Sequence, residues 1–162
     1  MLVQPPEGMS KQKQMNTRFQ PGVYLYEVQK ADLEWDINGD NTWQEDSTVE
    51  DSSMKEGARR RVVLTISLSN PDNTEPFTNK VWCYFESHNR WKHDSLCSSQ
   101  GKDPDEPLQY KDEFGDIVLD HGLVSMKKDG SYLDVQRFIK KDQEAIDAMV
   151  ESIEEARQTI PF

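Results

Sequence analysis

Residues 59–68 read RRRVVLTISL and carry the clearest strand pattern in the chain. From Val62 onward every second side chain is a large aliphatic one, ending at Leu68. This period of two is typical of a strand with one buried face, because successive side chains of a strand point to opposite sides. The stretch therefore predicts a half-buried β-strand that begins in three consecutive arginines.

Four other segments have the β-branched and aromatic composition of strands, with turn signals between them. The Pro21-Gly22 pair opens the first, and Asp129-Gly130 suits a hairpin turn between the last two. In chain order, the predicted strands cover residues 23–33, 62–68, 80–86, 117–126 and 132–139.

The order of these elements predicts the fold. Residues 90–97 lose the strand pattern and suit a short helix, which Gly101 and Pro104 end. Five strands with a helix between the third and the fourth is the order of an OB-fold, a small barrel that binds oligonucleotides on its second and third strands. We therefore predict a mainly β protein with a five-stranded OB-fold-like barrel.

Composition divides the chain into three parts. We expect a flexible N-terminal arm over residues 1–20, the OB-fold domain over residues 21–140, and an acidic C-terminal helix and tail over residues 141–162. The helix of this last part is predicted from Gln143 to Ala156.

The 162-residue chain has a formal net charge of -11, which alone argues against a nucleic-acid ligand. The acids, however, are concentrated in two segments. Lys55 is the only base between Asp32 and Glu56, and no base lies between Asp142 and Glu155. The net charge therefore describes the first long loop and the tail more than the barrel surface.

Several classes of protein are excluded by what the sequence lacks. No apolar run reaches the roughly 18 residues of a membrane helix, and residues 1–16 have no signal-peptide core. Two cysteines do not make a disulfide framework, so we expect the reducing cytoplasm. The absence of a nucleophile elbow, a Walker loop, a Rossmann fingerprint and an HExxH motif predicts no enzyme and no cofactor.

Three features of residues 19–140 belong together: residues 21–24 open strand one, a helix containing Trp91 follows strand three, and a strand pair ends near Phe138. In this combination the chain resembles phage-encoded single-stranded DNA-binding proteins. The chain also closes on Ile160-Pro161-Phe162, and bacterial single-stranded DNA-binding proteins end in an acidic run that closes on Ile-Pro-Phe. In those proteins the acids abut the tip, whereas residues 157–159 intervene here.

This resemblance implies a protein that protects single-stranded DNA during replication and recombination, in the cytoplasm of a phage host. It also implies that the tail recruits replication and recombination proteins. In that role Phe162 would enter an apolar pocket of the partner, and its carboxylate would meet an arginine or lysine there. The sequence leaves a homodimer open.

Single-stranded DNA is held by bases stacked on aromatic rings and by cations along the backbone. Strand three alternates Trp82 and Tyr84 with smaller apolar residues, so both rings point outward if the aliphatic side faces the core. Two alternatives stay open: the rings belong to the core, or the arginines pair with the acidic loop. The predicted DNA-binding residues are Arg59, Arg60, Arg61, Lys80, Trp82, Tyr84, Arg90, Trp91 and Lys92.

Two patterns resemble metal sites without completing one, and we predict no metal. Asp36, Asn38 and Asp40 mimic the start of a calcium loop, but the loop lacks the glycine and the glutamate of later positions. The spacing of a second group matches no usual zinc pattern, although its side chains suit zinc and leave that ion open. This group is Cys83, His88, His93 and Cys97.

Two other functions compete with DNA binding. The acidic first loop and the charge of -11 also suit an interaction or inhibitor protein that mimics DNA and binds a host DNA-processing protein. A minor structural protein of a virus particle is the third reading, and self-assembly without DNA is its expected sign.

Overall fold

The computed structural model describes residues 20–45, 56–86 and 90–158. Within these ranges the strands and helices occur in the order expected from the sequence. They are β1 (Gly22–Asp36), β2 (Arg59–Asn70), β3 (Asn73–Tyr84), α1 (Trp91–Ser99), β4 (Gly122–Asp129), β5 (Tyr132–Phe138) and α2 (Gln143–Gln158).

The strands form one antiparallel sheet in the order β3-β2-β1-β4-β5. Its edge strands β3 and β5 approach each other, so the sheet curls into a nearly closed barrel. Helix α1 connects the third strand to the fourth. The predicted mainly β, OB-fold-like barrel is therefore confirmed.

Strand β1 is shared between the two halves of the barrel. Its first part pairs with both neighbours, as where Leu25 lies opposite Leu123 of β4 and Ser69 of β2. Its later part pairs with β2 alone, and the register shifts between Val28 and Lys30. Because a β-bulge bends a strand and increases its twist, this irregularity helps the sheet to close.

The core lies inside the barrel and is built by alternation along the strands. The aliphatic face predicted for β2 is buried, from Val62 to Leu68. Full burial of one such side chain stabilises the fold by about 1.5–3 kcal/mol. The same core holds Tyr24, Tyr26, Phe77, Val81, Cys83, Leu96, Val124, Met126, Val135 and Phe138.

The buried hydroxyl of Tyr26 ties β1 to the end of α1. It lies 2.8 Å from the Ser99 hydroxyl and accepts a hydrogen bond from Gln100 Nε2 at 2.7 Å. Gln100 also exchanges two hydrogen bonds with the backbone of Asp120, each 2.8 Å long. A Cβ atom at Gly122 would lie 2.9 Å from the Tyr26 ring, so this position requires glycine for close packing.

The strands differ from their predicted ranges mainly at their ends. β3 begins at Asn73, well before Lys80, because the turn after β2 is tight. In that turn Asn70 Oδ1 accepts hydrogen bonds from the Asp72 amide and from Asn73 Nδ2, both at 3.1 Å. Pro76 lies within β3, which an edge strand tolerates since its proline removes no ladder bond.

The fourth strand is shorter at its start than predicted. It begins at Gly122, whereas Ile117 forms only an isolated bridge with Lys111. The segment before Gly122 still contributes to packing, because Ile117 and Leu119 lie against the core. The apolar pattern of residues 117–119 therefore reflects partial burial without sheet pairing.

Helix α2 packs across the outside of the barrel. Its buried residues Ile146 and Ile153 lie against the sheet, and the helix contacts β1, β2 and β3. Near its end, Arg157 Nη2 donates a 2.8 Å hydrogen bond to the Thr74 carbonyl oxygen. The predicted helix is confirmed and ends slightly later, at Gln158. The predicted arm up to residue 19 and the tip at residues 159–162 lie outside the described residues.

None of the helices in the described ranges has both the length and the apolar character that crossing a membrane requires.

Candidate nucleic-acid interface

The outward faces of β2 and β3 form one surface on the side of the barrel. The register places Arg61 opposite Tyr84, Val63 opposite Trp82, and Thr65 opposite Lys80. The intervening residues of β3 are buried, so Trp82 and Tyr84 point away from the core, as predicted. Trp82 is 42% exposed, and Tyr84 is half-buried beside it.

A third ring, Trp43, reaches this surface from the loop between β1 and β2. Its ring meets the edge of Tyr84, with centroids 5.8 Å apart and planes inclined by 63°. The guanidinium carbon of Arg61 lies 3.9 Å from the Trp43 centroid, a distance typical of stacking. We call Trp43, Trp82 and Tyr84 the aromatic face.

Sequence reasoning did not select Trp43. The available signal was a large aromatic residue in a polar loop, just after the Asn38-Gly39 turn and with no strand pattern around it. Since OB-folds use the loop between strands one and two for ligands, a tryptophan there could have been included.

The side chain of Asp36 organises the loop that carries Trp43. Its carboxylate is fully buried and accepts hydrogen bonds from the amides of Asp40 at 3.1 Å and Asn41 at 3.0 Å. Asn41, with a φ of 65°, in turn accepts a 3.0 Å bond from Trp43 Nε1. The turn is tight, because a Cβ at Gly39 would lie 2.5 Å from the Gly57 carbonyl oxygen.

Asp36 remains charged despite its burial. Burial by itself raises the pKa of a carboxyl group, but Arg59 donates to Asp36 Oδ2 at 2.8 and 3.1 Å. Together with the two loop amides, this outweighs burial and lowers the pKa of Asp36. The carboxylate is thus committed to the loop and to Arg59, which explains the calcium-like residues without an ion.

The three consecutive arginines do not share one face. Arg59 and Arg61 point outward, where they pair with Asp36 and Glu34 of β1 at 2.8 and 2.6 Å. Arg60 points the other way, lies 3.4 Å from Glu86 and is 5.9 Å from the Trp35 ring centroid. These carboxylates lie on β1 and just after β3. The loop between β1 and β2 adds Asn41, which accepts a 3.3 Å hydrogen bond from Arg59 Nη2, and the Trp43 ring. The residues 46–55 of the acidic loop lie outside the described part.

Lys80 has a different environment from the arginines. It is exposed on the outward face of β3, two residues from Trp82 and on the same side. In the part of the chain that the structure describes, its ammonium group forms no ion pair. It is therefore available to a ligand phosphate.

The predicted residues around the start of α1 make their contacts within α1, with β5 and with the loop that follows α1. Trp91 is 45% exposed, and Lys92 Nζ lies 5.5 Å from its ring centroid. Lys92 also pairs with Asp134 of β5 at 2.9 Å, which ties α1 to the barrel. Arg90 donates to Asp94 at 3.0 Å and to the Pro104 carbonyl oxygen at 2.6 Å. Both cations thus have structural partners, whereas the Trp91 ring stays accessible.

The three candidate zinc ligands that the structure describes, Cys83, His93 and Cys97, are buried. Cys83 and Cys97 are buried, and burial raises the pKa of their thiols to about 12 and about 11. The Cys97 sulfur lies 3.8 Å from His93 Nε2, and burial lowers the pKa of His93. Across residues 20–45, 56–86 and 90–158, no three potential ligands come together as a metal site. His88 lies outside these ranges.

The comparisons with known proteins returned no match to a protein family, a curated protein or a solved structure. The assignment of a function therefore rests on the barrel architecture and on the side chains of its outer surface.

Proposed function

We propose that this protein binds single-stranded DNA on the aromatic face and has no catalytic role. The observation that carries the proposal is the grouping of Trp43, Trp82 and Tyr84 on the outer side of β2, β3 and the adjoining loop. Small β-barrels of this topology bind oligonucleotides on the same strands. Each base stacked on such a ring contributes about 1–3 kcal/mol.

The charges around the aromatic face favour single strands over duplex DNA. Arg59 and Arg61 are already paired with carboxylates, whereas Lys80 is exposed beside Trp82. Stacking must therefore supply much of the binding free energy. It requires bases that are free to leave a helix, which single strands offer and duplexes do not.

A docking role for the tail is part of the same proposal. Helix α2 exposes acidic residues along its outer side, among them Glu144, Asp147 and Glu151. These would steer the following Ile160-Pro161-Phe162 segment toward a basic patch on a replication or recombination protein. Such a role places the protein in the cytoplasm of its host.

A fluorescence titration with oligo-dT tests the DNA-binding proposal directly. The full chain should bind at low salt, and Kd should rise as salt is added, since phosphate contacts release counterions. A duplex of equal length is the matched competitor and should bind more weakly. If neither the full chain nor a chain ending at Gln158 binds oligo-dT at low salt, the proposal is wrong.

One observation favours an acidic interaction protein as the second candidate. On the outward face of β1, Glu34 and Asp36 neutralise Arg61 and Arg59 of β2, and Asp32 in the same row pairs with Lys30. A protein of this kind would bind the basic surface of a host DNA-processing enzyme and ignore DNA. Absence of oligo-dT binding, together with salt-sensitive binding to a purified nucleic-acid enzyme of the host, is its expected result.

A further inference from the structure

Arg61 is enclosed on three sides at the centre of the aromatic face. Its Nη2 lies 2.6 Å and its Nε 2.7 Å from the same Glu34 oxygen, and its Nη1 donates to the Tyr84 hydroxyl at 3.3 Å. The guanidinium carbon lies 3.9 Å from the centroid of the Trp43 ring. Only 15% of the Arg61 side chain is exposed.

This arrangement supports the Trp43 ring and leaves little room for a phosphate at the Arg61 guanidinium. A guanidinium is planar, so it can stack on an indole while its edge binds a carboxylate. Because Arg61 covers one face of the Trp43 ring and Arg59 lies 5.0 Å from its centroid, a base can stack only on the part of the ring that these two cations leave open. A phosphate at Arg61 would have to displace Glu34 from a largely buried pair.

We propose that Arg61 is a positioning residue that holds Trp43 in place for base stacking and makes no phosphate contact itself. Glu34 fixes the guanidinium on the sheet, and Arg61 fixes the indole beside Tyr84. The inference rests on the proposed binding of single-stranded DNA and specifies how its central cation acts. Lys80, exposed and two residues from Trp82, is the cation that contacts phosphate.

Salt dependence separates the two roles. For single strands, each phosphate contact contributes about 0.7 to the slope of log K against log salt concentration. Arg61→Met should therefore weaken oligo-dT binding about tenfold and leave this slope unchanged. Lys80→Met, the matched control with the same uncharged side chain, should lower the slope by about 0.7.

A double-mutant cycle ties the effect of Arg61 to Trp43. Trp43→Ala should weaken binding at least as much as Arg61→Met, and adding Arg61→Met to it should change Kd less than about twofold. Glu34→Gln should weaken binding by a few-fold, because it loosens the same support. Tighter binding by Glu34→Gln would overturn the proposal, since it would mean that Glu34 holds Arg61 away from the DNA.

The conservative variant guards against a folding defect in Arg61→Met. Circular dichroism first checks that Arg61→Lys retains the barrel. A lysine keeps the charge but has no planar group to stack beneath the indole, so Arg61→Lys should weaken binding about as much as Arg61→Met. The positioning role would be contradicted if Arg61→Lys bound oligo-dT with the affinity and salt slope of wild type. It would also be contradicted if Arg61→Met lowered the slope of log K against log salt concentration.

The failures of the two proposals are distinguishable. Wild-type protein that does not bind oligo-dT at low salt would end both. Wild-type binding with a slope change in Arg61→Met equal to that of Lys80→Met would end only the positioning role and make Arg61 a phosphate contact.

Discussion

The outward face of β2 has two halves that differ in what covers them. Toward its end, Ser67 and Ser69 lie beneath α2, next to Val150 and Ile153. Toward its beginning, Arg61 and Val63 lie beside Trp82 and Tyr84, where Trp43 is the neighbour from the loop. The first half has small polar side chains under an apolar helix side, and the second has large aromatic side chains over which neither of the two described helices lies.

The difference shows that the aromatic face lies outside the packed core of the barrel. Where α2 lies over the outer surface, the β2 residues Ser67 and Ser69 are small and line one pocket with Val150 and Ile153 of the helix. Where it does not, the β3 residue Trp82 is large and remains 42% exposed. Exposed aromatic side chains grouped with a cation are typical of a binding surface.

The largest expected effect concerns the covered half. Ile153→Ala removes a buried side chain that holds α2 on the sheet, so the free energy of unfolding should fall by about 2–4 kcal/mol. Urea denaturation followed by circular dichroism measures it. The exposed neighbour Ser152 is the control site, and Ser152→Ala should change stability little. An unfolding midpoint of Ile153→Ala equal to that of wild type would mean that α2 does not stabilise the barrel.

In the open half, a substitution should reduce DNA affinity and leave the free energy of unfolding nearly unchanged. Trp82→Ala should weaken oligo-dT binding by about 1–3 kcal/mol, or about 5- to 150-fold in Kd, with little loss of stability. Phe114→Ala removes another exposed ring, 80% accessible and not part of the aromatic face, and should leave Kd unchanged. Equal effects of the two substitutions would show that binding does not use the aromatic face.

A smaller effect is expected from the loop that brings Trp43 to the open half. Asp36→Asn removes the charge that binds Arg59 and should lower the free energy of unfolding by about 1–2 kcal/mol at neutral pH, because Arg59 is partly exposed. The folded-state pKa of Asp36 is lowered, so its contribution is complete above the unfolded pKa of about 3.9 and is lost as the pH falls through the folded value.

The pH dependence checks this assignment. The difference in unfolding free energy between wild type and Asp36→Asn should shrink as the pH is lowered below about 4. Asp116→Asn, at an exposed residue, is the matched control for the loss of one carboxylate. A difference that stays constant down to the acid transition would contradict the charged pairing of Asp36 with Arg59.

The smallest effect tests whether DNA binding depends on the Tyr84 hydroxyl group or only on its ring. Tyr84→Phe keeps the ring and loses only the 3.3 Å hydrogen bond from Arg61. Oligo-dT affinity should therefore change by less than about 0.5 kcal/mol, because a bond of this length is weak. A loss as large as that of Trp82→Ala would mean that the hydroxyl, and not the ring face, is the group that binds.

Local patterns were sufficient for the strands and for the direction of their side chains. The alternation from Val62 to Leu68 predicted the buried face of β2, and the alternation in β3 predicted that Trp82 and Tyr84 point outward. The same rule places Arg60 on the face of Val62 and apart from Arg59 and Arg61. The three arginines predicted to bind DNA are therefore divided between the two faces of the strand. These features depend only on the period of two within a single strand.

The pairings between distant segments could not be predicted in this way. Glu34 meets Arg61 and Asp36 meets Arg59 only in the register that follows the irregularity between Val28 and Lys30. A shift of one residue would turn these carboxylates toward the other face of the sheet. Trp43 likewise reaches Tyr84 only because the Asp36 carboxylate and the close approach of Gly39 to Gly57 shape the loop.

The amino-acid sequence by itself determined a five-stranded barrel with a helix after its third strand, because hydrophobic periodicity and turn residues act over a few neighbouring positions. Only the tertiary structure decided which half of the outer face α2 covers, and that Lys80 has no ion pair with a described residue beside the open half. Those outcomes depend on strand register and on contacts between residues far apart in the chain, such as Arg157 with Thr74. No local pattern encodes them, since each joins segments that only the closed barrel brings together.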